Sequence, residues 1–419
     1  MTNTPQPAKQ AELDFSGLNV DSQILAVLGR LKFHTPTPIQ YKSIPTLLEG
    51  KDMIGIAQTG TGKTLAFGIP MVQRLIRFKG KGLILLPTRE LAIQVDQELQ
   101  KIGAPFRLKT AVLIGGAPMG RQVRDIKNGA HIFIGTPGRI IDHIQQKTIS
   151  LHDVRILVLD EADRMLDMGF APQIKQILNT VPKERQTMLF SATMPDDIVK
   201  IATTHMKLPI RVEIARSGTV SQRVDQEVFI VEKNQKAGLL QFLLGKYEGT
   251  ILVFSRTKHG AKKICRDLRN IGHSAAEIHS NRSLSQRQEA LQGFKNGKYR
   301  ILVATDIAAR GIDVKDIEVV INYDIPEQAE DYVHRIGRTG REGKAGRAIT
   351  FASADQNHKI RPIEKLIRAA LKVSPLPHGL PVAKKAPPSA PAYSRAPYKH
   401  ARPSSSRKPP GRRHYHAFR

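Results

Sequence analysis

Two successive blocks of short apolar runs, each run followed by a turn and then usually a helical pattern, restrict this chain to a parallel α/β architecture built twice. Within residues 13–212 the runs are GLILL (82–86), AVLIG (111–115), HIFIG (131–135), ILVLD (156–160) and TMLFS (187–191). They read as buried strands. Residues 213–225 are polar and contain a glycine, which reads as a linker. A second alternation occupies 226–372, with strands at 227–231, 250–254, 274–278, 300–304, 319–323 and 348–351. Helices are expected over 235–247, 258–271, 284–296, 328–337 and 357–371. The fold class is therefore α/β, with two tandem parallel-sheet domains of similar size. Residues 1–12 are polar and expected to be disordered. Residues 373–419 hold 10 Pro, 10 Lys or Arg and no acidic residue, and read as a flexible basic arm.

Charge points to the partner. Lys plus Arg number 65 and Asp plus Glu 37, a net charge of +28. The arm carries +10 of this, leaving 28 − 10 = +18 on residues 1–372. Such an excess suits a polyanion, nucleic acid before an anionic membrane surface. Tyr393, Tyr398, Tyr415 and Phe418 lie among the arm's cations, where aromatic rings can stack on single-stranded bases. A single cysteine, Cys265, excludes an intrachain disulfide framework and fits a reducing cytosol. The first residues carry no apolar signal segment, and nowhere do 18 apolar residues run together. A cytoplasmic protein with no membrane partner is expected.

The chemistry begins at AQTGTGKT (57–64), between the apolar run DMIGIA and the helical pattern LAFGIPMVQRLI. Ala57, Gln58, Thr59, Gly60, Thr61, Gly62, Lys63 and Thr64 form a strand–loop–helix phosphate cradle. Its glycines let backbone N–H groups converge on phosphate oxygens at a helix N-terminus. Lys63 would reach the β and γ phosphates and Thr64 would face Mg²⁺. Such a loop needs acids to organise the metal. Asp160 and Glu161 emerge from ILVLDEAD (156–163) at a strand's carboxyl end. Asp160 would hold Mg²⁺ largely through water. Glu161, also near the metal, would orient and deprotonate the attacking water.

Here the string Asp160-Glu161-Ala162-Asp163 resembles the signature of the DEAD-box RNA helicases of superfamily 2. The resemblance spans roughly residues 13–370 with its motifs in order. It implies two RecA-like domains, ATP and Mg²⁺ as ligands, and RNA-stimulated ATP hydrolysis. FHTPTPIQ (33–40) resembles the adenine-reading segment, with Phe33 stacking on the base, Gln40 bonding its edge and Phe15 supporting the segment. Lys32 stands where the family usually has glycine. Pro87, Thr88 and Arg89, then Gly115 and Gly116, then Thr136, Pro137, Gly138 and Arg139 resemble RNA-contacting loops. Ser191 and Thr193, with Asp163, resemble the element coupling nucleotide to RNA. In the second half, Ser255 and Arg256, Arg287 and Thr305 match RNA-side positions. Gly311 and Asp313 match nucleotide-side positions. His334 and Arg335 match residues that bridge the domains, and Arg338 and Arg341 those that meet the γ-phosphate. Leu284 replaces the glutamine of the family's Gln-x-x-Arg, which removes one expected bridging hydrogen bond. RMLDMGF (164–170) and the basic arm look most like bacterial members near the RhlE-like branch.

The resemblance implies that ATP and RNA close the two domains, local strand bending opens a few base pairs, and hydrolysis reopens the clamp. An ATP-gated clamp or scaffold with little unwinding uses the same residues. A DNA-directed motor of the same superfamily is disfavoured by PTREL, TPGR and HRIGRTGR. Single strands and short duplexes of RNA, read with little sequence preference, are the expected partners. Ribosomal or RNA-decay proteins are further candidates, and a monomer is the default.

Overall fold

The computed structural model describes residues 14–58, 60–214, 224–309, 314, 317–340 and 345–380. The first sheet contains β1 (Met53–Ile56), β2 (Lys81–Leu85), β3 (Thr110–Leu113), β4 (Ile132–Gly135), β5 (Val154–Leu159), β6 (Gln186–Ser191) and β7 (Ile210–Glu213). The second contains β8 (Val224–Ile230), β9 (Ile251–Phe254), β10 (Ala275–Ile278), β11 (Ile301–Ala304), β12 (Val319–Asn322), β13 (Gly346–Ala352) and β14 (Lys372–Ser374). Strand order is β3-β4-β2-β5-β6-β1-β7 in one and β10-β11-β9-β12-β13-β8-β14 in the other. Adding seven to each number of the first order gives the second, so the halves share one topology. Every strand pairing is parallel.

Parallel strands need crossover helices, and these cover both faces of each sheet. That explains the continuous apolar runs. Along β5, Ile156 and Val158 join one core while Leu157 and Leu159 join the other. Along β9, Ile251 and Val253 face one core and Leu252 the opposite one. Burial of all these side chains leaves every β5 residue except Arg155 buried. The anticipated helices of the second half are found at Lys236–Lys246, Lys258–Asn270, Leu284–Lys295, Ala329–Ile336 and Asn357–Ile367.

Two edge strands differ from expectation. β7 carries only one buried residue, Val212, and β14 carries none, so neither shows an apolar run. β14 pairs with β8, placing Val373 opposite Val228. Leu376 and Leu380 then pack on the second half's core. Ordered structure thus continues past residue 373, where the arm was expected to begin, and the part of the arm after 380 lies outside the described residues. The first twelve residues and most of the anticipated linker lie outside them too.

Buried histidines give the fold a pH limit. Burial holds the His143 and His279 imidazoles below their ordinary value, aided by Arg139 for His143. A depressed histidine favours the folded state when neutral. That stability is complete above the unfolded value of about 6.5 and is lost as pH falls through the folded one. Urea midpoints should hold between neutral and mildly alkaline pH and drop below about pH 6.5, with up to about one proton taken up per histidine on unfolding. A midpoint flat to about pH 5 would contradict this.

Candidate nucleotide and nucleic-acid site

The carboxyl ends of β5, β6 and β1 lie side by side in the sheet. Ligands of open parallel sheets bind beyond such ends. From β1 the chain turns through Gly60 (φ 82°) and Gly62 (φ 90°) into the helix Lys63–Arg77. A Cβ on Gly62 would fall 2.4 Å from the Gln40 amide nitrogen, so only glycine fits. Gln40 fastens the loop: its Nε2 donates to the Gly62 carbonyl at 3.0 Å and its Oε1 accepts from Thr37 N at 2.9 Å. Thr61 Oγ1 donates to the Gln58 carbonyl at 2.7 Å. The Lys63 ammonium is buried, donating to the Ala57 carbonyl at 3.2 Å and lying 3.8 Å from Asp160. Thr64 is half-buried on the first turn of that helix.

Upstream, Phe15 is buried in the first core and Phe33 remains partly exposed. Lys32 between them has φ 62°. This left-handed backbone explains why glycine suits the position, and a lysine there carries a strain of about 1–2 kcal/mol.

Asp160 follows β5 and is buried; its Oδ1 accepts from Glu161 N at 2.9 Å. Burial raises its carboxyl to about 6, against the pull of the Lys63 ammonium. A buried acid in this state suits a cation arriving with phosphate. Glu161 sits at φ 52°, ψ 48°, a strained backbone for a residue with a Cβ. Burial opposes its ionisation, yet Arg164, Lys63 and Arg338 outweigh burial and hold its carboxyl below the ordinary value. The two neighbouring acids are thus driven apart in acidity, one toward a proton and one toward a charge.

The coupling residues come together as expected. Asp163 Oδ2 accepts from Ala192 N (3.1 Å), Thr193 N (2.9 Å) and Thr193 Oγ1 (2.9 Å), and its own N–H donates to Ser191 Oγ at 3.3 Å. Arg164 carries the link onward. It is 1% exposed, pairs with Glu161 at 2.7 Å, and meets His334 Nδ1 of the second domain at 2.9 Å. Sequence reading placed no role on Arg164. Its adjacency to the acidic string was the available signal.

The neighbouring ends of β3, β4 and β2 carry the other loops. Thr88 caps the helix Arg89–Gly103 by accepting from Leu91 N. Arg89 lies over Gly115 and Gly116. A Cβ on Gly116, at φ 78°, would fall 2.4 Å from its Nη1. Thr136 precedes the helix Pro137–Gln145, Gly138 has open space above it, and Arg139 Nη1 donates to the Ala117 carbonyl at 3.2 Å. One half of the sheet's edge therefore presents the phosphate cradle and the other presents these basic, glycine-lined loops.

The second half repeats the division. Ser255 and Arg256 follow β9 and Thr305 follows β11. Ser255 is buried with its hydroxyl on Asp324 at 3.2 Å, and Arg256 pairs with Glu327 at 3.1 Å. Arg287, expected on the RNA side, joins Glu90 of the first domain at 2.8 Å in a buried ion pair. Leu284, in the same helix, packs against the first domain's core. An apolar contact thus stands where the expected hydrogen bond is missing. His334 bridges the domains, but Arg335 does not. It is buried inside the second domain, bidentate to Asp306 (2.6 and 2.7 Å). Arg338 is buried and close enough to act on Glu161. Thr59, Gly311, Asp313 and Arg341 lie outside the described residues.

Among the described residues no helix is long and apolar enough to cross a membrane. Nor do three His, Cys, Asp or Glu side chains converge to hold a metal by themselves. Magnesium needs no such cage when substrate phosphates and water complete its shell.

Comparison with known proteins agrees with this layout. Residues 37–201 match the DEAD/DEAH box helicase family, and residues 234–343 match the helicase conserved C-terminal domain. The ATP-dependent RNA helicase CshA of Listeria monocytogenes is 44% identical over 361 residues, 85% of this chain and 69% of that protein. The DEAD-box ATP-dependent RNA helicase CshA of Geobacillus kaustophilus is 44% identical over 85% of this chain and 77% of its own length. Saccharomyces cerevisiae Dbp5, solved bound to RNA and ADP BeF3, superimposes with a TM-score of 0.78 at 30% identity over 87% of this chain and 96% of Dbp5. Mss116p bound to ssRNA and AMP-PNP gives 0.80 at 29% identity, covering 89% and 82%. Tandem RecA-like sheets, a glycine-built cradle and the buried Asp-Glu pair, together with these matches, place the chain in the DEAD/DEAH box helicase family.

Proposed function

We propose that this chain is an ATP-dependent RNA helicase in which ATP, seated at the Gly60–Thr64 loop, holds the two RecA-like domains closed over single-stranded RNA. The observation that carries this reading is the Glu161–Arg164–His334 chain, which joins the hydrolytic acid to the opposite domain while Arg338 acts on the same carboxylate. Lys63 binds phosphate. Glu161 accepts the proton of the attacking water. Arg338, with Arg341, neutralises charge developing on the γ-phosphoryl oxygens. Phe33 and Gln40 receive the adenine, with Gly311 and Asp313 on the nucleotide side.

Magnesium would be held by Thr64 and Asp160, with Glu161 nearby, and would supply charge neutralisation between phosphates. The raised Asp160 carboxyl fits that duty, since a cation restores its ionised form.

RNA contacts are assigned to Pro87–Arg89, Gly115–Gly116, Thr136–Arg139, Ser255–Arg256 and Thr305. Grip on phosphates and 2′-hydroxyls gives little sequence preference. The first RecA-like domain is read as ending with β7 at Glu213, the second as running from β8 at Val224 through β14 to Leu380, in place of the expected bounds 212, 226 and 372, with the basic arm beyond. The protein works as a cytoplasmic monomer, with ribosomal or RNA-decay proteins as candidate partners. The two relatives at 44% identity carry the CshA name, and the RhlE-like placement rests on RMLDMGF and the arm.

Deleting 381–419 removes 10 Lys and Arg. RNA affinity should fall, and the salt slope should flatten by roughly 0.7 for each phosphate the arm no longer neutralises. An unchanged slope would remove the arm from RNA binding. Steady-state ATPase with and without RNA, and opening of a short duplex in the same buffer, test the central reading. RNA without effect on turnover would overturn it.

A further inference from the structure

The shared strand order sets the two halves in register, and a lysine–aspartate pair recurs in it. In the first half Lys63 begins the helix after β1 and lies 3.8 Å from Asp160, just past β5. In the second half Lys236 begins the helix after β8 and lies 3.3 Å from Asp324, just past β12. β8 and β12 are the counterparts of β1 and β5. The first pair fronts a glycine loop. The second does not: residues 231–236 read VEKNQK, without glycine. Lys236 is 6% exposed, and its ammonium is filled by protein acceptors, the Tyr323 carbonyl at 2.8 Å and Asp324 Oδ1. Its charge also lies 5.5 Å over the Tyr323 ring.

Asp324 faces three ways. Its Oδ2 accepts from Ser255 Oγ at 3.2 Å and from Arg256 N at 3.0 Å. Its backbone carbonyl accepts from Arg335 Nη1 at 2.6 Å. Arg335 also covers the ring of Phe254, the residue before Ser255, at 5.1 Å. His334, next to Arg335 on the same helix, meets Arg164 and through it Glu161. One aspartate thus touches the loop assigned to RNA and the helix that reaches the hydrolytic acid. An ion pair with a buried lysine and a half-buried aspartate is a poor source of stability compared with packed apolar side chains of similar size. Its retention at this junction fits a task of fixing geometry.

We propose that Lys236 and Asp324 are positioning residues: the second half's counterpart of the nucleotide-binding Lys–Asp pair, closed to phosphate and used as the pivot through which RNA on the Ser255–Arg256 loop sets His334 against Arg164. This rests on the reading that the loop meets RNA.

The test uses the full chain with ATP, magnesium and oligouridine. Lys236→Met keeps the side chain's length and removes its charge. RNA-stimulated kcat should fall about fivefold or more, while turnover without RNA and KM for ATP stay within about twofold. The melting temperature should fall in Lys236→Met, which leaves Asp324 without its cation, and recover in part in the Lys236→Met/Asp324→Asn double variant. Asp324→Asn should lose stimulation similarly, and the double variant should be no worse than the weaker single one. Stimulation at the wild-type level in Lys236→Met, equal loss of stimulated and unstimulated turnover, or simple additivity would each overturn the pivot. Arg256→Ala separates the underlying reading: a raised KM for RNA supports the loop's contact, and an unchanged one removes it, whatever Lys236→Met does.

Discussion

Glu161→Gln is expected to lower RNA-stimulated ATP turnover by about 10²–10⁴-fold, the range for losing a general base. The amide keeps the size of the side chain and can still accept a bond from Arg164, so the 2.7 Å contact has a substitute. What it loses is the ability to take a proton. Three cations, Arg164, Lys63 and Arg338, hold the native carboxyl ionised despite burial, and none of them can make a neutral amide basic. Nucleotide should therefore still bind, and a complex with ATP and RNA should persist far longer than in the wild type. Steady-state ATPase and the dissociation rate of labelled oligouridine in ATP read these two effects. Turnover near wild type would remove Glu161 from the chemistry. Lys63→Ala makes the contrast, because it deletes the cation facing phosphate and should weaken nucleotide binding itself.

Arg338→Ala should cut turnover by about 10³–10⁵-fold, as for cations that meet a transferring phosphoryl group in other NTPases. Arg338 belongs to the second domain, and Lys63, Thr64 and Asp160 to the first. Nucleotide affinity in the absence of RNA should therefore change little. The variant separates binding from closure-dependent chemistry. Equal losses in nucleotide affinity and kcat would instead place Arg338 in ground-state binding. Because Arg338 also helps keep Glu161 ionised, its removal should shift the acid limb of the rate profile to higher pH. An unmoved limb would deny that electrostatic link.

Much of this arrangement is legible in the linear sequence, for a physical reason. Strands buried on both faces must be apolar throughout, so β2, β5, β6, β9 and β11 announce themselves. The cradle is legible because Gly62 can be nothing else beside Gln40. Edge strands β7 and β14 are not, since a strand open to solvent on its faces carries no such run. Long-range pairings are also hidden. Nothing near Arg287 points to Glu90, and the pair forms only when two domains meet. Arg335 is the converse case. Its motif suggested a bridge, but the acid that claims it, Asp306, lies in its own domain. Arg164 and Lys236 went unread because a lone cation in a helix has no local pattern to distinguish it.

The identical ordering of strands in the two sheets gives the molecule an internal pseudo-dimer whose halves cannot trade places. One lobe fronts its lysine with a loop of glycines; in the other the corresponding ammonium follows a stretch without glycine and is held by carbonyl and carboxylate. Each chain should then take up a single nucleotide, and every closing stroke should start from the same side, so that the cycle inherits its polarity from an asymmetry between twins.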